Sequence, residues 1–163
     1  MSAVGLESIE HTVHVTHTWI NELDELLGWS NKSRSYRLLR SVLQALRDWL
    51  PVNEAADFAA QLPNLLRGVY YEQWRPATTP VKPRSKSDFL GRIDHAFVGD
   101  PILHTEDAVR ITFRFLSTKI AAGEIADVKH ALPADLRALW TLSSAAARGN
   151  GQNARPLEFA ARS

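Results

Sequence analysis

Apolar positions recur every three or four residues along the first quarter of the chain, which is the spacing of one face of an α-helix. The first run ends beside Gly28, a residue that commonly follows a helix C-terminus. A second run follows the polar loop at residues 30–33 and stops at Pro51. The pattern predicts two amphipathic helices. Their inward positions are Leu6, Ile9, Val13, Thr16, Ile20, Leu23 and Leu27 in the first and Leu38, Leu39, Val42, Leu43, Leu46 and Trp49 in the second.

Two shorter helices are predicted after Pro51. Asn53 suits an N-cap, and the third helix then runs to about Leu62. Pro63 fits the first position of a fourth helix, because the N–H group that proline lacks has no partner there anyway. The apolar positions of the fourth helix are Leu65, Leu66, Val69, Tyr70 and Trp74.

Residues 75–87 contain three prolines and cannot form a helix interior, so they are predicted to be a linker. Beyond the linker the same order of four helices is predicted again. Thr105 is expected to cap the sixth helix, Gly123 to cap the seventh and Pro133 to begin the eighth. Residues 143–163 are rich in Ala, Gly, Asn and Arg and are expected to be disordered.

The chain repeats itself at an offset of seventy residues without a gap. Of the 14 positions in residues 54–67, seven are identical in residues 124–137. These seven are Glu54, Ala56, Asp57, Leu62, Pro63, Leu66 and Arg67. Such a repeat predicts two similar units. We expect an all-α domain over residues 1–142, with four-helix units at about 18–74 and 88–142 related by an approximate two-fold axis.

Composition limits the class of protein. The chain has 163 residues and a net charge of +1, and it contains no cysteine, which excludes disulfides and thiolate metal sites. Its start lacks the basic and apolar regions of a signal peptide, and no apolar run reaches the roughly 20 residues that span a bilayer. We therefore expect a cytoplasmic protein.

The repeated Glu-x-Ala-Asp, followed by Leu-Pro-x-x-Leu-Arg, resembles the bacterial domain-of-unknown-function family 2267. The resemblance covers residues 18–140 and includes both units. It implies an all-α fold, a bacterial, cytoplasmic setting and no established activity or cofactor. Some relatives accompany regulatory or stress-related domains, which implies a role of that kind.

The repeated charged residues are expected to be structural. Glu54 and Asp57 share a helix face and complement the helix dipole near a first turn, as do Glu124 and Asp127. Arginines at 67 and 137 are expected to bind the aspartates of their own units, Asp57 and Asp127, across the corners at Pro63 and Pro133. The functional alternatives are paired carboxylates for acid–base or metal chemistry, and an arginine clamp for an anion.

No catalytic or metal site is predicted. His11, His14 and His17 fan across a helix by about 60° per step, so they do not converge on one ion. The chain also lacks the glycine-rich loops of nucleotide-binding folds and the Gly-x-Ser-x-Gly elbow of serine hydrolases.

We therefore expect a non-enzymatic helical binding or regulatory protein that contacts a protein partner or itself. Trp74 and the linker cations Lys82, Arg84, Lys86 and Arg92 are the candidate contact residues. One alternative is nucleic-acid binding through these cations. Another is an enzyme with its site between the two units.

Overall fold

The structure is a computed structural model that describes residues 3–141. In these residues the regular structure is helical, which confirms the all-α class. One 3₁₀ turn, Pro76–Thr78, lies in the linker. The helices are α1 Ala3–Leu27, α2 Lys32–Trp49, α3 Val52–Ala59, α4 Asn64–Tyr71, α5 Lys86–Ala96, α6 Thr105–Lys119, α7 Ala122–Ala131 and α8 Ala134–Thr141. None of these helices combines the length and apolar character needed to cross a membrane.

Several helix boundaries of the second unit lie seventy residues after the matching boundaries of the first. This agreement begins at the end of the second helix of each unit. Trp49 ends α2 and Lys119 ends α6, while Val52 begins α3 and Ala122 begins α7. The bounds of α4 and α8 also differ by seventy at both ends. The helix order agrees with two similar units. Their approximate two-fold relation stays a prediction.

The polar network at the start of each second helix also recurs. Asp24 accepts hydrogen bonds from the backbone N–H of Asn31 at 3.0 Å and from the Ser35 hydroxyl at 2.6 Å. Seventy residues later, Asp94 accepts a hydrogen bond from the hydroxyl of Thr105. Each aspartate therefore connects one helix of its unit to the start of the next.

Four predicted helix starts were wrong, those at Asn53 and Gly123 by two residues and those at Pro63 and Pro133 by one. Asn53 and Gly123 lie inside the first turns of α3 and α7, whose N-caps have no side-chain hydrogen bond. Pro63 is the N-cap of α4 rather than its first residue, and its carbonyl accepts the N–H of Arg67 at 2.8 Å. An extended ψ of 150° at Pro63 is the physical reason, because it places the residue outside the helix.

Thr105 is the first residue of α6 and not its cap, because its hydroxyl donates to Asp94. The linker also ends two residues earlier than predicted, since α5 begins at Lys86 behind a capping box of Ser85 and Asp88. The expected disordered tail, residues 143–163, lies outside the described residues.

One cluster of buried apolar side chains includes residues from all eight helices. Aromatic contacts join the units, with Trp49 meeting Phe89 edge-on at 5.4 Å and Trp19 meeting Phe115 at 5.7 Å. Within the second unit, Phe113 stacks on Trp140 at 4.2 Å. The two units therefore share a core.

The linker is hydrogen-bonded to the end of α2. Trp49 donates its indole N–H to the Arg84 carbonyl at 3.1 Å, and the Arg84 guanidinium donates to the Trp49 carbonyl at 2.8 Å. The Val81 N–H donates to the carbonyl of Asp48 at 3.0 Å. These bonds hold the linker cations against the body of the molecule.

Candidate functional site

The arginine of the first corner binds main-chain carbonyls. Arg67 donates from Nε to the Ala59 carbonyl at 2.9 Å and from Nη2 to the Leu62 carbonyl at 2.9 Å. The predicted pairing of Arg67 with Asp57 was wrong, since no ion pair joins them. Carbonyls at the end of α3 lack helical partners and carry partial negative charge, so the guanidinium caps that helix.

The second corner repeats this arrangement. Arg137 donates from Nε to the Lys129 carbonyl at 2.7 Å and from Nη2 to the Leu132 carbonyl at 2.9 Å. The predicted pairing with Asp127 was wrong for the same reason. Pro133 precedes α8, and its carbonyl accepts the N–H of Arg137 at 2.9 Å. Both arginines are thus occupied inside their own units.

The repeated acids meet across the units instead. α3 packs against α7. One carboxylate oxygen from each of Glu54, Glu124 and Asp127 lies within 4.8 Å of the other two. We call these three residues, together with Asp57 on α3, the carboxylate cluster. Oxygen atoms of this kind are the ligands that Ca²⁺ and Mg²⁺ use in proteins.

Burial makes the carboxylate cluster electrostatically unfavourable. Glu54 Oε2 and Glu124 Oε1 are buried and have no hydrogen-bond partner among residues 3–141. Burial raises the pKa of the Glu54 carboxyl, and the charges of Asp127 and Asp57 raise it further. Burial likewise raises the pKa of Glu124, followed by the charge of Glu54. The expected ion pairs to arginine are therefore replaced by repulsion between like charges.

Most of the predicted linker cations have internal partners. Lys86 pairs with Glu106 at 2.9 Å, Arg92 pairs with Asp48, and the guanidinium of Arg84 binds the main chain at Trp49. Lys82 is exposed. These contacts leave few linker cations for nucleic acid.

Trp74 lies at the end of the first unit and is half-buried. Its ring centroid is 5.2 Å from that of Tyr71. The indole N–H of Trp74 is buried without a hydrogen-bond partner in the described part of the chain. Its role as a partner anchor stays a prediction.

A polar cavity of about 320 Å³ lies where the end of α2, the end of α4, the linker and α5 meet. We call it the seam pocket. Its lining was not predicted as a unit, because the residues come from four separate segments and share no sequence spacing. The charged and hydroxyl side chains that line it include Arg47, Asp48, Glu72, Arg75, Thr78 and Arg92.

The first half of α1 carries exposed apolar side chains, contrary to the inward face predicted for them. Leu6 is 49% exposed, Ile9 59% and Val13 37%. Further along α1 the buried positions are Thr16, Trp19, Leu23 and Asp24. The stripe continues along α1 beyond the part that the body of the molecule covers, and the apolar spacing gave no signal of where that cover ends.

The three histidines of α1, His11, His14 and His17, are exposed side chains. Within residues 3–141, the side chains close enough to share a metal ion are those of Glu54, Glu124 and Asp127, and this group contains no histidine.

Comparison with known families identifies the chain. Residues 16–139 match the family of uncharacterised conserved proteins DUF2267, and the chain belongs to this family. A search of curated proteins found no match. The family fixes no reaction or ligand, so function must be argued from the surfaces described above.

Proposed function

We propose that this member of the family is a non-enzymatic helical binding protein, and that it binds a second copy of itself through the exposed apolar stripe of α1. The stripe consists of Leu6, Ile9 and Val13. The observation that carries the proposal is their exposure on one side of a helix. A bacterial, cytoplasmic setting and a regulatory or stress-related role are part of the same proposal and rest on the family resemblance.

The stripe has the form of a helix-packing surface. Its members are separated by three and four residues, so they stand above one another along α1. Each buried Å² of apolar surface contributes about 25 cal/mol, so covering three such side chains favours association. A second helix with the same spacing can interdigitate with the stripe at an interaxial distance of about 8–10 Å.

Charge along one edge of the stripe selects a second copy as the occupant. Glu7, Glu10, His14 and His17 follow one another at steps of three, four and three residues, and all four are exposed. The acids stand toward the start of α1 and the histidines toward its middle. An antiparallel pair of α1 helices, related by a two-fold axis, places the acids of each copy against the histidines of the other.

Sedimentation velocity of the full chain tests the proposal. We expect a concentration-dependent dimer. Ile9→Glu should abolish the dimer, since the glutamate is placed in the middle of the stripe.

Leu26→Glu is the matched control. Leu26 is 47% exposed on the same helix but lies on another side of it, so this variant should dimerise like the unaltered chain. A chain that stays monomeric at concentrations on the order of 100 µM contradicts the proposal. Equal loss of dimer in both variants also contradicts it, because the effect is then not specific to the stripe.

A further inference from the structure

The seam pocket is built around a buried arginine whose position is fixed from several sides. Arg47 is 4% exposed. Its Nε and Nη2 donate to the two carboxylate oxygens of Asp48 at 2.9 and 3.2 Å. Its Nη1 donates to the carbonyls of Tyr70 and Glu72 at 2.8 and 2.7 Å. A guanidinium held in this way does not have to reorganise when a ligand enters the pocket.

Positive charge exceeds negative charge around the pocket. Asp48 is shared by Arg47 and Arg92, and the carboxylate of Glu72 pairs with Arg40. Arg75 is exposed on the pocket wall, and within residues 3–141 no carboxylate lies at ion-pair distance from it. Three guanidinium groups line the pocket, those of Arg47, Arg75 and Arg92, and two carboxylates stand beside them, which leaves an excess of one positive charge.

We propose that the seam pocket binds a small molecule carrying a phosphate monoester, with Arg75 and Arg92 as its main contacts. A phosphate monoester carries nearly two negative charges at neutral pH and offers three strong acceptor oxygens. Guanidinium groups bind such oxygens in pairs, with a planar geometry that lysine cannot reproduce. The net positive charge of the pocket wall attracts such an anion.

The remaining lining is suited to the rest of a polar ligand. Thr78 donates its hydroxyl hydrogen to the Arg75 carbonyl at 3.1 Å, which leaves the hydroxyl oxygen free to accept a hydrogen bond. Glu72 is about half exposed and can accept hydrogen bonds from ligand hydroxyl groups. A volume of about 320 Å³ is at the lower end of the range of ligand pockets, which favours a sugar phosphate or a molecule of similar size.

A small ligand fits these observations better than a nucleic-acid strand. A strand needs a row of free cations that follows its backbone. Here Lys86 pairs with Glu106 and Arg84 binds the main chain, so these two linker cations are not available for such a row.

Isothermal titration calorimetry on the full chain at low ionic strength tests the proposal. The probes are inorganic phosphate, glycerol 3-phosphate and a single-stranded oligonucleotide. We expect saturable binding of both phosphate probes with one site per chain. Arg75→Gln should weaken this binding by about tenfold, the loss expected for one charge-assisted contact.

Arg114→Gln is the matched control. Arg114 is also exposed and lies at no ion-pair distance from a carboxylate of residues 3–141, but it stands on α6 outside the pocket. Binding in this variant should equal that of the unaltered chain. Three results overturn the proposal: no saturable binding of either phosphate probe, equal weakening by Arg114→Gln, or an oligonucleotide that binds more tightly than both phosphates and loses affinity with Arg75→Gln.

Discussion

At the Arg67 corner charged N–H groups meet carbonyl oxygens, whereas at the contact between α3 and α7 carboxylates meet other carboxylates. Both arrangements come from the same repeated segment. The corner is formed inside one unit and occurs twice with matching hydrogen bonds at Arg67 and Arg137. The carboxylate cluster is formed once, where the two copies of that segment meet.

This difference shows how the surroundings of a charged residue depend on whether it faces its own unit or the other one. A side chain that is satisfied within its own unit remains satisfied in both copies. A side chain that faces the other unit meets its own counterpart, so a duplicated acid becomes a pair of like charges. We expect substitution of a corner arginine to lower the free energy of unfolding. Neutralising an acid of the carboxylate cluster should raise it.

Removing a corner arginine should have the largest effect. Arg67→Ala removes the guanidinium donor from three carbonyls at the end of α3 and in the corner, so the free energy of unfolding should fall by about 2 kcal/mol. Arg137→Ala should cost a similar amount. Urea unfolding followed by circular dichroism measures both, and Arg114→Ala should stay within about 0.5 kcal/mol of the unaltered chain. A neutral effect of either corner substitution contradicts the capping role.

A smaller loss of stability is expected when the aspartate that joins α1 to α2 is replaced. Asp24→Ala removes the acceptor for the backbone of Asn31 and for the buried hydroxyl of Ser35. Asp94→Ala removes the acceptor for Thr105 in the second unit, but Asp94 is exposed. Thermal unfolding should therefore show a larger fall in Tm for Asp24→Ala than for Asp94→Ala. Equal falls in Tm for the two variants contradict the expectation that burial makes the Asp24 hydrogen bonds more important for stability.

Neutralising the carboxylate cluster should stabilise the chain. Glu54→Gln removes a charge that faces Asp57 and Asp127, and Glu124→Gln removes the charge on the other side of the contact. Each substitution should raise the free energy of unfolding by about 0.5 kcal/mol at neutral pH, the scale of a partly screened charge pair. Destabilisation by both variants indicates that the carboxylates have a favourable partner.

The pH dependence of stability should also separate carboxylates that repel one another from carboxylates that accept hydrogen bonds. Its effect should be smaller than that of the substitutions. The raised pKa values of Glu54 and Glu124 mean that the folded chain binds protons at these groups more tightly than the unfolded chain. Their contribution to stability is therefore lost as the pH rises through the folded-state pKa values and is complete below the ordinary value of 4.5.

Asp24 and Glu106 act in the opposite direction. Hydrogen bonds from Ser35 and Asn31 lower the pKa of Asp24, and the hydrogen bond from Lys86 lowers that of Glu106. Stabilisation from these two carboxyls is lost as the pH falls through their folded-state pKa values. The unaltered chain should gain stability from neutral to mildly acidic pH and lose it below. The variant that combines Glu54→Gln and Glu124→Gln should lack this gain in stability.

Sequence periodicity predicted the helices well because each helix can be read from its own residues. The starts of α4 and α8 were predicted to within one residue from the prolines, although α4 ends at Tyr71 and does not include Trp74 as predicted. Spacing along a chain indicates neighbours within one helix and not across a corner. The predicted partner of Arg67 was therefore wrong, and the meeting of Glu54 with Glu124 was missed.

The outer half of α1 and the seam pocket were missed for related reasons. Apolar spacing identified Leu6, Ile9 and Val13 as one side of a helix, but it does not say how far the body of the molecule extends along that side. Arg47, Arg75 and Arg92 are brought together by the linker and by two helices. Only the tertiary fold supplies that information.

A double-mutant cycle on Glu54 and Glu124 tests most directly whether the two units meet through an unfavourable contact. The free energy of unfolding is measured at neutral pH for the unaltered chain, Glu54→Gln, Glu124→Gln and the combined variant. Our account predicts that each single change stabilises. The combined gain should be smaller than the sum, because removing either charge already relieves their mutual repulsion. Strictly additive gains, or a loss of stability in the single variants, would contradict it.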